Sequence, residues 1–198
     1  MTRLLVATTN PGKQREFRRL LRELPADVVT PDAIGIDLDV DEPHATYAEN
    51  AAAKAAAFAL ASGILSVADD SGIEVAALGW GPGVRSARWA GEKGREADRL
   101  LEAMESKTDR RARMVCALAV AIPRRDDAPA VEVFTGAMEG TIAPERRGTG
   151  GFGYDPIFLV DGHSTTAELP DEHKDRISHR GRAVAAALPR LWELLSAH

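Results

Sequence analysis

Residues 64–72 read ILSVADDSG. The apolar lead-in, 64–69, reads as a strand heading into a core. Asp69 and Asp70 then place two carboxylates side by side. Asp is disfavoured in strands, and a buried carboxylate without a partner is costly. Two readings stay open. Asp, Ser and Gly together are ordinary turn residues. Alternatively the strand ends in a site, where one Asp holds a cation or activates water. Successive side chains of an extended chain point to opposite faces. If 64–69 is a strand, Asp69 and Asp70 therefore do not share one job: one could face a cleft while the other caps the turn.

Outward from this strand, the chain alternates between the two hydrophobic periods. RLLVAT (3–8) reads as a short buried strand and NPG as a turn. KQREFRRLLREL (13–24) carries Phe17, Leu20, Leu21 and Leu24 at helical spacing, with its arginines on a solvated face. Residues 25–45 read as loop or irregular strand. TYAENAAAKAAAFALAS (46–62) is an Ala-rich helix opened by a Thr46/Glu49 capping box and closed by Gly63. GWGPGVRSARWAG (79–91) reads as a long loop and READRLLEAMES (95–106) as an amphipathic helix. RMVCALAVAI (113–122) and AVEVFTGAM (130–138) are neighbouring strands joined by the polar stretch 123–129. GTGGFGYDPIF (148–158) is a Gly-rich loop feeding a strand. SHRGRAVAAALPRLWELL (178–195) is a helix capped by Ser178, with a kink expected at Pro189. The whole predicts a mixed-sheet α/β fold without a linker between independent domains.

Bulk properties exclude several classes. The chain has 198 residues, 25 basic and 30 acidic, for a net charge of −5. That balance argues against a protein that coats nucleic acid. With 44% apolar residues, the chain can build a core rather than stay disordered. Cys116 is the single cysteine, so no intramolecular disulfide forms, which fits a reducing cytoplasm. Its apolar setting favours a buried strand cysteine over a nucleophile. No signal peptide, membrane span or zinc spacing is expected from the sequence.

Four places can carry chemistry. In TTNPGK (8–13) a strand hands over to a helix, where N–H groups and the helix dipole attract phosphate, and Lys13 adds a full charge. It is not a Walker A loop: position 7 is Ala and Gln14 follows the lysine. A plain Asn-Pro-Gly turn is the alternative. The second place is Asp69–Gly72. The third is DLDVDEP (37–43), where Asp37, Asp39 and Asp41 alternate as a solvated edge. Glu42 breaks the alternation and could join Asp70 on a hard cation. Asn50 and Lys54 read as surface residues of the following helix. The fourth place joins GTGGFGYDP to KDRISHRGRA (174–183). Its glycines and rings suit a flat ligand, and Asp155 could accept from a base or ribose. Lys174, His179 and Arg180 could gather donors. His179 and Arg180 fall in a first helical turn, where the dipole disfavours cations, and such local conflicts mark sites.

Taken in order, TTNPGKQREF, YAENAAAKA, ADDSGIEVAALG, PGVRSARWAG, GTGGFGYDPIF and KDRISHRGRA resemble the inosine triphosphatase family along nearly the whole chain. The resemblance implies a single domain over 1–198, built as two lobes with a central nucleotide cleft, and a homodimer. It also implies Mg²⁺-dependent hydrolysis of purine nucleoside triphosphates such as ITP, dITP and XTP to monophosphate and pyrophosphate. On this likeness Thr8, Thr9, Asn10, Pro11, Gly12 and Lys13 cradle phosphates. Asp70 is the catalytic acidic residue, a proton acceptor and a metal contact, Glu42 a metal ligand, and Ser71 touches substrate. Phe152, Gly153, Tyr154, Asp155, Lys174, His179 and Arg180 match nucleotide- and base-binding positions. Trp80 departs from the family, which commonly has a small residue there; it could reshape the nearby loop or pack at a dimer contact. Two other readings remain: a nucleotide sensor without turnover, and a pyrophosphatase of modified pyrimidine nucleotides.

Overall fold

A computed structural model describes residues 2–92, 94–125 and 127–196. The fold is α/β with a mixed sheet. Its strands are β1 (Arg3–Val6), β2 (Asp27–Val29), β3 (Leu65–Val75), β4 (Gly81–Pro82), β5 (Arg111–Ile122), β6 (Ala130–Ile142) and β7 (Phe158–Leu159). Its helices are α1 (Pro11–Leu20), α2 (Tyr47–Ser62), α3 (Ser86–Trp89), α4 (Glu96–Met104), α5 (Asp171–Ile177) and α6 (His179–Ser196). The strand order is β2-β1-β3-β5-β6-β7, with β4 beside β3. β1 runs parallel to β2 and β3, whereas β3–β4 and β6–β7 are antiparallel.

The chain divides into two compact units. The first comprises residues up to Asp70, Cys116–Gly136 and those from Arg180 onward; the second comprises Ser71–Val115 and Ala137–His179.

In the first unit, strand alternation sorts the core into two sets. Leu4, Val6, Val67, Leu118 and Val120 pack with Phe17 and Leu21, from α1 and its end, and with Val184 and Leu191 of α6. Leu5, Ala7, Ala68, Ala117, Ala119 and Ala121 pack with Ala51, Ala55, Phe58 and Ala59 of α2. Small side chains on both partners let the Ala-rich helix lie close to its sheet face. The large residues of the other face each contribute roughly 1.5–3 kcal/mol by leaving water. Thr46 caps α2 by accepting from the Glu49 N–H at 3.2 Å, and its hydroxyl donates to the Glu49 carboxylate at 2.7 Å. Gly63 ends the helix at φ 65°, the left-handed cap predicted for it.

In the second unit, Ile73, Val75, Leu100, Met104, Met138, Ile142, Ile157 and Phe158 form the core. Tyr154 closes onto it, its hydroxyl donating to the Ser86 carbonyl at 2.8 Å.

Several boundaries differ from the sequence reading. β3 does not stop at Asp69; it runs through Asp-Asp-Ser-Gly to Val75, so the turn reading fails. α1 begins at Pro11 because Asn10 caps it and proline suits the first helical turn. The 79–91 loop contains β4, a 3₁₀ turn at Gly83–Arg85 and α3. Residues 171–177, not expected to be helical, form α5, and Ser178 stands between α5 and α6 with extended backbone (φ −66°, ψ 157°). Of the polar connection 123–129, residue 126 lies outside the described residues. Asp37, Asp39 and Asp41 are exposed, while Ile36, Leu38 and Val40 lean on the α2-side core. Their alternation is real, although the segment belongs to no strand.

Candidate active site

Strand parity decides what each aspartate meets. Asp69 shares its face of β3 with Val67, the face covered by α1 and α6. Asp70 shares its face with Ala68, the face covered by α2. Asp69 is fully buried. Arg180 of α6 donates to its Oδ2 from Nη2 at 2.8 Å and from Nε at 3.2 Å, and Lys13 Nζ of α1 lies 3.1 Å from Oδ1. Arg180 also donates from Nη1 to Glu16 at 2.5 Å. Burial opposes charge on Asp69, yet Arg180, Lys13 and Lys54 together hold its carboxyl far below the usual range. Arg180 is thus the buried hub of an ion-pair network, which explains a cation in the first turn of α6 against the helix dipole. The sequence reading placed it among base-binding donors; here three of its N–H groups serve Asp69 and Glu16.

Asp70 is buried on the other face and accepts from Asn50 Nδ2 at 2.9 Å. Its pKa is raised, first by burial and further by Glu42, while Asn50, Lys13 and Lys54 act against the rise. Glu42 forms a close ion pair with Lys54 of α2. Asn50 and Lys54 are one helical turn apart, so one stripe of α2 faces both acidic positions. The sequence reading left both on the surface; Asn50 is in fact buried and Lys54 half-buried.

The loop 8–13 is pre-organised. Asn10 Oδ1 accepts from the N–H groups of Gly12 at 2.8 Å and Lys13 at 3.2 Å. The Asn10 N–H donates to Thr8 Oγ1 at 3.2 Å. The N–H groups expected to be open to phosphate therefore already have a partner, and Thr9 and Pro11 are exposed on the loop.

The second unit holds Ser71, Phe152, Gly153, Tyr154, Asp155, Lys174 and His179. Asp155 is buried and accepts from the Phe152 N–H at 2.7 Å, Lys174 Nζ at 2.5 Å and Thr166 Oγ1 at 2.8 Å. Lys174 also lies 5.5 Å from the centroid of the Phe152 ring. This carboxylate, expected to accept from a ligand, orders its own loop. Gly151 adopts φ 69°, and a Cβ there would sit 2.0 Å from Asp155 Oδ2. Tyr154 packs in the core, and burial, aided by Glu96, pushes its phenol well up.

Trp80 is exposed at φ 63°, with its ring 5.2 Å below the Arg113 guanidinium. Cys116 is buried beside Asp69, and burial followed by that charge pushes its thiol well up, so it is not a nucleophile. Among the described residues no group of three or more His, Cys, Asp or Glu is arranged for a metal. The pair expected to hold a cation, Glu42 and Asp70, offers two carboxylates. That fits a hard cation that takes its remaining ligands from phosphate and water.

A model of the Ham1 family matches residues 4–190. A dITP/XTP pyrophosphatase of Synechococcus sp. (strain CC9311) is 46% identical over 193 residues, covering 97% of this chain and 91% of the relative. A dITP/XTP pyrophosphatase of Streptomyces coelicolor is 45% identical over 203 residues, covering 98% of this chain and all of the relative. Among solved structures, a HAM1 protein from Coxiella burnetii superposes with a TM-score of 0.81 at 38% identity, each chain covered in full. A nucleoside-triphosphatase, dITP/XTP pyrophosphatase, from Mycobacterium abscessus gives 0.72 at 40% identity, over 95% of this chain and 100% of that one.

Proposed function

The chain belongs to the Ham1 family, and from that premise we propose that it hydrolyses non-standard purine nucleoside triphosphates (ITP, dITP and XTP) to the monophosphate and pyrophosphate. The observation that carries the reading is Asp70. Its carboxylate is buried, raised in pKa and held by Asn50, with Glu42, Lys54 and Lys13 acting on it. A carboxylate tuned upward is suited to take a proton from water at neutral pH. In this reading Asp70 activates the water that attacks the α-phosphorus. Lys13 offsets the charge that develops on the phosphate oxygens. Mg²⁺, held by Glu42 and Asp70, would supply Lewis-acid stabilisation of those oxygens.

Base choice follows from donor chemistry. Lysine offers donors only. If Lys174 and His179 present donors to purine position 6, they favour a 6-oxo purine over adenine, whose amino group would leave donors facing donors. Such mismatches reject substrates by up to ~10⁴-fold. Phe152 offers the ring for stacking, Ser71 a hydroxyl, and Thr8 to Lys13 the phosphate contacts. Arg180 acts one step back, through Asp69. A homodimer and a cytoplasmic location belong to the same proposal. Among the described residues no helix is long and apolar enough to cross a membrane.

The test is product analysis with Mg²⁺ on ITP, dITP, XTP, GTP and ATP separately, resolving pyrophosphate from orthophosphate. Pyrophosphate from the first three with little from ATP is expected. Orthophosphate, or equal turnover of all five, would refute the reading; tight binding without turnover would favour a sensor. A light-scattering mass near the 21.2 kDa of one chain would remove the dimer.

A further inference from the structure

We propose that Asn50 is a positioning residue whose single buried amide fixes the Asp70 carboxylate and anchors the segment carrying Glu42. The inference rests on the proposed function for its kinetic consequence, and on geometry alone for the anchoring.

Asn50 is 1% exposed. Its Oδ1 accepts from the His44 N–H at 3.0 Å and its Nδ2 donates to Asp70 Oδ2 at 2.9 Å. A backbone N–H can only donate, so the amide oxygen must face His44. The NH₂ group is thereby turned to Asp70 and meets an acceptor. One rotamer serves both partners, and neither end can flip without orphaning a buried group. Asparagine in a helix is otherwise a poor choice, because its side chain competes for backbone partners. Here the backbone partner is His44, outside the helix.

Residues 42–44 have no secondary structure, and Pro43 and His44 are exposed. Glu42 and Asp70 repel one another. A segment without ladder bonds would let Glu42 swing away. α2 opposes this at two points one turn apart: Lys54 pairs with Glu42, and Asn50 holds the His44 N–H. Only Asn places a donor and an acceptor at this reach. Asp keeps the acceptor and loses the donor, Ala loses both, and Gln is one methylene too long.

The experiment compares wild type, Asn50→Asp and Asn50→Ala as full chains. Steady-state kcat and KM for ITP, melting temperature and hydrogen exchange of the His44 amide are measured on each. Both variants are expected to lose about 10–100-fold in kcat, as when other supporting partners of ligand carboxylates are removed. KM should change less than about threefold, because nucleotide contacts are untouched. The His44 amide should be protected in wild type and Asn50→Asp but exchange freely in Asn50→Ala. A folded variant with wild-type kcat overturns the proposal. So does a kcat loss matched by collapse of the melting temperature in both variants, which would mean a structural role only. If wild type releases no pyrophosphate from ITP, dITP or XTP, the proposed function falls, while the His44 exchange pattern still decides the anchoring: His44 protection unchanged in Asn50→Ala would refute it.

Discussion

Arg180 Nη2 lies 2.8 Å from Asp69 Oδ2, and both side chains are buried. With Glu16 on the same guanidinium, two carboxylates, from α1 and β3, share one cation from α6. Removing one partner of a buried pair leaves an uncompensated charge, at a cost of about 3–5 kcal/mol. Arg180→Met should lose stability on that order, read from the urea midpoint at pH 7. In wild type the Asp69 pKa is depressed on folding, so its contribution is full above the unfolded carboxylate value of about 3.9 and is lost as pH falls below it. The variant has lost that contribution already. The gap between the two proteins should therefore narrow as pH drops through about 4; a constant gap would refute the pairing argument.

Asp70 has the opposite sign. Its pKa is raised on folding, so its charge costs stability above that pKa and the cost is relieved as pH falls. Asp70→Asn keeps an acceptor for Asn50 and removes the charge. Calorimetry of the metal-free protein at pH 7 should show a higher melting temperature, with the difference vanishing in acid. Turnover should fall ~10²–10⁴-fold, as for loss of a general base. A variant that is less stable at pH 7, or fully active, would contradict this.

Two glycines separate space from conformation. Gly151 (φ 69°) faces Asp155 Oδ2, whereas Gly153 (φ 61°) meets nothing within 4 Å. Alanine at 153 should cost about 1 kcal/mol of left-handed strain. Alanine at 151 adds a clash with a carboxylate tied to Phe152, Lys174 and Thr166, for roughly 1–3 kcal/mol more. Gly151→Ala should also raise KM for the nucleotide, and Gly153→Ala much less. Equal effects in denaturant titrations and kinetics would argue against the Asp155 hub.

Cys116 should be silent toward thiol reagents in the folded protein at pH 8, because it is buried and its thiol pKa is pushed up. Labelling should appear only with unfolding, at a rate that tracks denaturant. Rapid labelling of native protein would show that the sheet face is open.

Much of the fold was legible from local chemistry. The Thr46 box and Gly63 bound α2 because caps are written in adjacent residues. The separate duties of Asp69 and Asp70 followed from the period of a strand. What escaped the sequence was longer in range. A turn stayed open for the run Asp-Asp-Ser-Gly because Asp69 has no local partner; its partners are 56 residues back, in Lys13, and 111 ahead, in Arg180. Asn50 looked exposed because alanine on every side of α2 gives little contrast between faces. α5 was missed because DEHKDRI offers a single apolar residue and no period. The carboxylate of Asp155 was read as open to a ligand because nothing in the chain announces that three donors converge on it.

On the phosphate-binding role proposed for this loop, the Asn10 cap over the Gly12 and Lys13 N–H groups bears on competition from inorganic phosphate. A lone orthophosphate entering this loop must displace an internal carbonyl that already meets both donors, and it brings few other contacts to offset that loss. A triphosphate spreads the same exchange over more oxygens. Free phosphate in the cell should therefore compete poorly here, leaving the enzyme open to scarce damaged nucleotides amid an abundant simple anion.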